Sequence, residues 1–145
     1  MTTDKEYLEL CLELALKGKG LVEPNPMVGA VIVKNDSIIA KGWHEVFGGP
    51  HAEANAINNC GKDLSGSTLY CNLEPCCHSN KKTPPCVPLI IKNNITKVVI
   101  SNLDPNPHVN GKGINMLKNA GIIVDIGLLE KDALELNKKY FQQFV

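Results

Sequence analysis

The sequence predicts an α/β domain in which helices cover both faces of a largely parallel sheet. Three observations predict it. After an initial hairpin pattern, β-branched runs alternate with amphipathic stretches along the chain. A helical pattern lies between the last two strand-like runs, and a crossover of that kind favours parallel pairing. At 145 residues, 43% hydrophobic and 21% charged, the chain is long enough for one buried core and too apolar for disorder.

Each element has its own local signal. Thr3-Asp4-Lys5-Glu6 reads as a capping box, and Leu8, Cys11, Leu12 and Ala15 follow at helical spacing until Gly18 and Gly20 end the pattern. Pro24-Asn25-Pro26 is a rigid turn. A strand is expected over residues 28–33, an Asn35-Asp36 hairpin turn, and a second strand over 37–43. A helix opens near Pro50 and ends at Gly61. Residues 68–73 form a short apolar strand, 87–93 a helix and 97–101 a strand. A helix over 113–120 is capped by Gly121, residues 122–126 form the last strand, and one amphipathic helix over 130–144 closes the chain.

Charge narrows the partners. Fifteen basic residues balance fifteen acidic ones, and the pI is near 6.9. A protein that wraps nucleic acid or coats an anionic membrane carries a basic excess, so a small molecule is the expected partner. No apolar run approaches the ~20 residues of a membrane-spanning helix. The polar, acidic start at residues 1–6 resembles neither a secretory signal nor an Arg-rich transit peptide, which makes the cytoplasm the expected compartment. Six cysteines stand at 11, 60, 71, 76, 77 and 86. In a reducing cytosol they read as thiols or metal ligands rather than a disulfide frame.

The chemistry concentrates in His51-Ala52-Glu53, Pro75-Cys76 and Cys86. One imidazole and two thiolates suit a three-ligand zinc site whose fourth tetrahedral position is left for water, with that water's pKa drawn down toward ~7. Glu53 would move the water's proton to the leaving nitrogen rather than bind metal. Residues two apart do not share a face of a regular helix, so His51 and Glu53 can converge only at an irregular first turn, where Gly48-Gly49-Pro50 would place them. Thr83-Pro84-Pro85 reads as a cap-and-proline entry to a helix, whose unpaired N–H groups favour a thiolate at Cys86. The order H-x-E…P-C…C matches the zinc nucleobase-deaminase signature. A closed structural zinc site is the competing reading, with Cys77, Cys71 or His78 as its fourth ligand.

Longer strings carry a family resemblance. They are Pro24-Asn25-Pro26-Met27-Val28-Gly29-Ala30-Val31-Ile32-Val33, Gly49-Pro50-His51-Ala52-Glu53, Leu73-Glu74-Pro75-Cys76-Cys77-His78, Thr83-Pro84-Pro85-Cys86, and the segment from Asp104-Pro105-Asn106-Pro107 to Gly113. Together they resemble the pyrimidine deaminase domain of bacterial riboflavin biosynthesis, the amino-terminal half of a bifunctional deaminase–reductase. The resemblance implies a three-layer α/β/α cytidine deaminase-like fold, with a five-stranded mixed sheet whose last two strands are parallel. It implies one Zn2+ per chain held by His51, Cys76 and Cys86, with Glu53 as the proton shuttle. Asn25, His44, Ala52, His78, Lys82, Asp104 and Asn106 match positions that line the substrate pocket. The implied substrate is 2,5-diamino-6-ribosylamino-4(3H)-pyrimidinone 5′-phosphate, deaminated by water to 5-amino-6-(5-phosphoribosylamino)uracil and ammonia.

Two departures from the family pattern qualify the transfer. Nine residues separate Cys76 from Cys86 where the family has eight, so a register with Cys77 as ligand is also open. The string ends at Val145 and holds no dinucleotide-binding pattern. A single deaminase domain over 1–145 is therefore expected, without NADP and without a reductase, so a separate reductase would perform the next step. Homo-oligomerisation is left open. Two rival readings stand beside the main one: a deaminase of guanine, cytidine or tRNA adenosine, and a non-catalytic zinc-fold subunit partnering a reductase.

Overall fold

The computed structural model describes residues 2–77 and 85–144. In chain order the elements are α1 (Asp4–Leu16), β1 (Gly29–Lys34), β2 (Ser37–Trp43), α2 (Ala52–Asn59), β3 (Thr68–Leu73) and α3 (Cys86–Lys92). β4 (Lys97–Asn102), α4 (Lys112–Asn119), β5 (Ile123–Ile126), α5 (Glu130–Leu136) and α6 (Lys138–Gln142) follow. The capping box forms as its sequence predicts. Thr3 Oγ1 accepts from the Glu6 amide at 3.2 Å, and Glu6 Oε1 accepts from the Thr3 amide at 3.3 Å. The hairpin turn places both Asn35 (φ 52°) and Asp36 (φ 61°) in the left-handed region, the geometry that matches the twist of flanking strands.

The five strands form one sheet in the order β2-β1-β3-β4-β5. β1 is antiparallel to both β2 and β3, while β3, β4 and β5 run parallel. The sheet is thus evenly mixed rather than largely parallel, because β1 is the reversed strand between β2 and β3. The expected parallel pairing of the last two strands is present.

Strand alternation sends the core in two directions. Ile32, Leu69, Cys71, Val98 and Ile100 face α2, α3 and α4, where they meet Ala56, Val87, Ile90, Ile114 and Leu117. Val31, Val33, Tyr70 and Val99 face the other way and pack against Tyr7, Leu8, Cys11 and Leu14 of α1. These contacts define three α/β/α layers. No helix among the described residues is long and apolar enough to cross a membrane.

One element differs from its sequence expectation. The single closing helix over 130–144 is two helices broken at Asn137 (φ −109°, ψ 28°). Its side-chain amide replaces a peptide partner for Met27: Oδ1 accepts from Met27 N–H at 2.8 Å and Nδ2 donates to Met27 O at 2.8 Å. This pairing holds Asn137 buried and turns α6 back over the Pro24–Pro26 segment.

The helix that carries His51 and Glu53 lies very close to β2. A Cβ placed on Gly42 would stand 2.5 Å from Ala56 N and 2.7 Å from Ala52 O. Gly42→Ala is therefore expected to force α2 off the sheet and to lower stability by about 1–3 kcal/mol, as overpacking does. Chemical denaturation of the two proteins measures it, and an unchanged midpoint would contradict this packing.

Candidate metal centre and pocket

β2 and β3 run in the same direction, with β1 reversed between them. The carboxyl ends of β2, β3 and β4 and the amino end of β1 therefore meet along one edge of the sheet. That is where ligands gather in open α/β sheets. Segment by segment, this edge supplies His44 after β2, Glu74-Pro75-Cys76 after β3, Asp104 after β4, and Asn25 before β1.

His51, Cys76 and Cys86 converge there, their ligand atoms all within 4.8 Å of one another. His51 Nδ1 is 3.4 Å from Cys76 Sγ and 3.7 Å from Cys86 Sγ. Tetrahedral zinc with Zn–N near 2.05 Å and Zn–S near 2.3 Å separates such donors by about 3.6 Å, so the donor set and its spacing both fit that ion. His51 is the N-cap of α2 in extended conformation (φ −75°, ψ 166°), outside the helix, while Glu53 is in its first turn. This is the irregular geometry that lets residues two apart share one site.

Cys76 is held at the start of α3. Its carbonyl accepts from the amides of Cys86 and Val87 at 3.1 and 3.0 Å, and its Sγ accepts from the Cys86 amide at 3.2 Å. An N–H aimed at sulfur favours the thiolate that a metal needs. Among the described residues the donor cluster includes Cys76 and not Cys77. Cys77 Sγ instead donates to His108 O at 3.6 Å, and burial together with the nearby Glu74 carboxylate pushes its thiol up. Cys71 packs inside the core, where burial holds its thiol well above the usual range. Among the described residues the donor cluster contains only three members.

A cavity of about 460 Å³ opens beside these donors, and Glu53, His51 and Cys76 form part of its wall. Glu53 is buried, 3% exposed, at the foot of α2. Asn25 and His44 line the same cavity and touch each other, with Asn25 Nδ2 3.2 Å from His44 Nε2. His44 Nδ1 lies 2.9 Å from Pro50 O, which can only accept. Nδ1 therefore donates to Pro50 O, and Nε2 faces the Asn25 amide.

Asp104 and Asn106 also line the cavity. Ala52 does not line it. Its methyl is buried in the core, so only the backbone amide at this first helical position could face a ligand. His78 and Lys82 lie outside the described residues.

Glu74 is a site residue for which sequence reasoning assigned no role, although it stands inside the Leu73-Glu74-Pro75-Cys76 string. Its buried carboxylate accepts from three backbone amides: Asp104 at 3.1 Å, Gly111 at 3.0 Å and Ile114 at 3.1 Å. The Gly111 amide, at the N-cap of α4, is thereby committed to Glu74. Gly113 admits this approach, since a Cβ there would meet Pro75 O and stand 3.2 Å from Glu74 Oε2. Glu74→Ala would leave three amides without their acceptor. The expected loss is about 3 kcal/mol or more of stability, read as a lowered denaturation midpoint. Wild-type stability in that variant would remove the bracing role.

Tyr140, Phe144 and Phe47 complete the cavity walls and carry no sequence motif.

A three-layer α/β/α domain with one half-buried imidazole, two buried thiols and a neighbouring carboxylate at a sheet edge belongs to the class of zinc-dependent nucleobase and nucleotide deaminases. Residues 1–102 match the family model described as the cytidine and deoxycytidylate deaminase zinc-binding region. The chain is 46% identical over 140 residues to the diaminohydroxyphosphoribosylamino-pyrimidine deaminase of Buchnera aphidicola subsp. Schizaphis graminum, covering 97% of this chain and 95% of that protein. It is 51% identical over 138 residues to the riboflavin biosynthesis protein RibD of Aquifex aeolicus, covering 95% of this chain and 38% of that protein. The solved structure of Acinetobacter baumannii RibD superimposes with a TM-score of 0.93 at 44% identity, over 97% of this chain and 40% of that one. The chain belongs to the cytidine and deoxycytidylate deaminase family and, within it, to the diaminohydroxyphosphoribosylaminopyrimidine deaminases. It spans less than half the length of the RibD proteins it matches.

Proposed function

We propose that the protein hydrolyses the 2-amino group of 2,5-diamino-6-ribosylamino-4(3H)-pyrimidinone 5′-phosphate, releasing ammonia and 5-amino-6-(5-phosphoribosylamino)uracil. One observation carries the reading: the His51–Cys76–Cys86 cluster stands at a cavity whose wall includes His51, Cys76 and the buried Glu53, in a chain aligned over nearly its whole length with a diaminohydroxyphosphoribosylamino-pyrimidine deaminase.

His51, Cys76 and Cys86 would hold one zinc per chain, which when bound would supply the Lewis acid that makes water a competent nucleophile near neutral pH. The chain's own residues do the rest. Glu53 takes the proton that water loses as its oxygen adds to C2, and delivers it to the adjacent ring nitrogen. It then carries the adduct's hydroxyl proton to the amine. The C2–N bond breaks, the carbonyl forms and ammonia leaves, so one carboxyl serves both transfers.

Asn25 presents its carbonyl oxygen to the pyrimidine, because His44 engages its Nδ2 and thereby fixes the amide's orientation. Asp104 and Asn106 accept and donate to ribose hydroxyls. His78 and Lys82 are assigned to the ring and phosphate by the family pattern.

Purified protein supplied with zinc is expected to release one ammonia per pyrimidine consumed, measured with a coupled glutamate dehydrogenase assay. Turnover of guanine, cytidine or an adenosine-bearing tRNA in place of this substrate would overturn the assignment.

A further inference from the structure

The last helix belongs to the pocket as much as to the fold. α6 is seated on the turn that carries Asn25: Asn137 pairs with both main-chain groups of Met27, and Gln143 Nε2 donates to Pro24 O at 3.3 Å. From this seat Tyr140 reaches across the cavity, and its hydroxyl donates to Asp104 Oδ1 at 2.7 Å.

The same Oδ1 accepts from the Asn106 amide at 3.0 Å. Asp104 is 6% exposed and 36 residues away from Tyr140 in sequence. One of its oxygens thus holds two donors, while Oδ2 takes no hydrogen bond from any described residue. A carboxylate oxygen has two lone-pair sites, and Asp104 lines the cavity, so Oδ2 is the oxygen left for a hydroxyl that enters it. The arrangement is that of a carboxylate clamped by one edge, with its other edge kept for a hydroxyl donor.

We propose that Tyr140 is a positioning residue for sugar recognition: by clamping Asp104 Oδ1 it orients Oδ2 to accept a hydroxyl of the ribosyl group, so that the enzyme prefers ribosyl over deoxyribosyl pyrimidines. This rests on the ribosylated-pyrimidine reading above and adds its selectivity device. Without the Tyr140 hydroxyl, Oδ1 keeps only the Asn106 amide, so the carboxylate that must accept the sugar hydroxyl is held by one donor in place of two.

The test compares wild type with Tyr140→Phe on the ribosyl substrate and on its 2′-deoxy and 3′-deoxy analogues. Tyr140→Phe is expected to raise KM for the ribosyl substrate about five- to tenfold with kcat within about twofold, the size of effect one ordinary hydrogen bond supplies. KM for the deoxy analogue that lacks the recognised hydroxyl should stay unchanged. In an Asp104→Asn background, Tyr140→Phe should add less than about twofold, because coupled residues are non-additive.

Asn137→Ala unseats α6 without altering the tyrosine and should raise the same KM selectively. Zinc content and melting temperature are followed throughout. An unchanged KM, or an equal rise for ribosyl and deoxyribosyl substrates, would overturn the positioning role and leave α6 as packing alone. Calorimetric binding of the ribosylated uracil product separates the two levels. A wild type that releases no ammonia but loses product affinity with Tyr140→Phe refutes the reaction and retains the clamp.

Discussion

Glu53→Gln is expected to lower kcat for ammonia release by about 10²–10⁴-fold while zinc content stays at about one per chain, which is the size of effect general acid–base groups supply. The substitution keeps the shape of a side chain that is 3% exposed at the start of α2, so the cavity wall and the seat of His51 are preserved. What it removes is an oxygen that can accept a proton from water and release it to nitrogen. Because each half of the deamination needs such a transfer, no single surviving step can restore the rate. KM should change far less than kcat, since in the proposed reaction Glu53 would act on the reacting atoms rather than on sugar or phosphate. Metal analysis beside steady-state kinetics measures both quantities. Near-normal turnover in a zinc-loaded Glu53→Gln protein would transfer the proton chemistry to another group.

The sequence made the donor cluster legible because zinc chemistry calls for particular residue types. His51, Cys76 and Cys86, which the fold brings within 4.8 Å of one another, could be named as candidates since few chemistries need one imidazole and two thiols in that order. The strands were equally visible where both faces are buried, as in residues 68–73, which form β3 with those same bounds.

What escaped depends on side chains that act at long range. Nothing local to Asn137 shows that its amide substitutes for a peptide partner of Met27, 110 residues earlier, so the helix break was invisible to periodicity. Tyr140 reads as an ordinary residue of an amphipathic helix until α6 is placed over the cavity. Glu74 stood in plain view, but its three amide partners run from Asp104 after β4 to Ile114 in the first turn of α4, which the parallel β3–β4 pairing brings beside it. The reversed β1 was hidden for a related reason, because strand order follows from tertiary contacts rather than from the pattern within any one strand.

Cys76→Ser and Cys77→Ser, neighbours in the chain, are expected to part completely. In Cys76→Ser the site keeps one nitrogen and one sulfur, and a hydroxyl replaces a thiolate that zinc binds strongly and that the Cys86 amide supports. Zinc content should fall from about one per chain to near zero after dialysis, and ammonia release should fall with it. The melting temperature should drop too, since metal that binds only the folded state contributes its binding free energy to folding. Cys77→Ser should retain the metal and most of the activity. Its sulfur bonds to the His108 carbonyl, and burial favours the neutral thiol over the thiolate a ligand needs. Inductively coupled plasma analysis of both variants measures the contrast directly. A zinc-free Cys77→Ser protein beside a zinc-loaded Cys76→Ser protein would move the metal by one residue along the loop. His51 and Cys86 would then have to meet a donor that the present geometry turns toward His108.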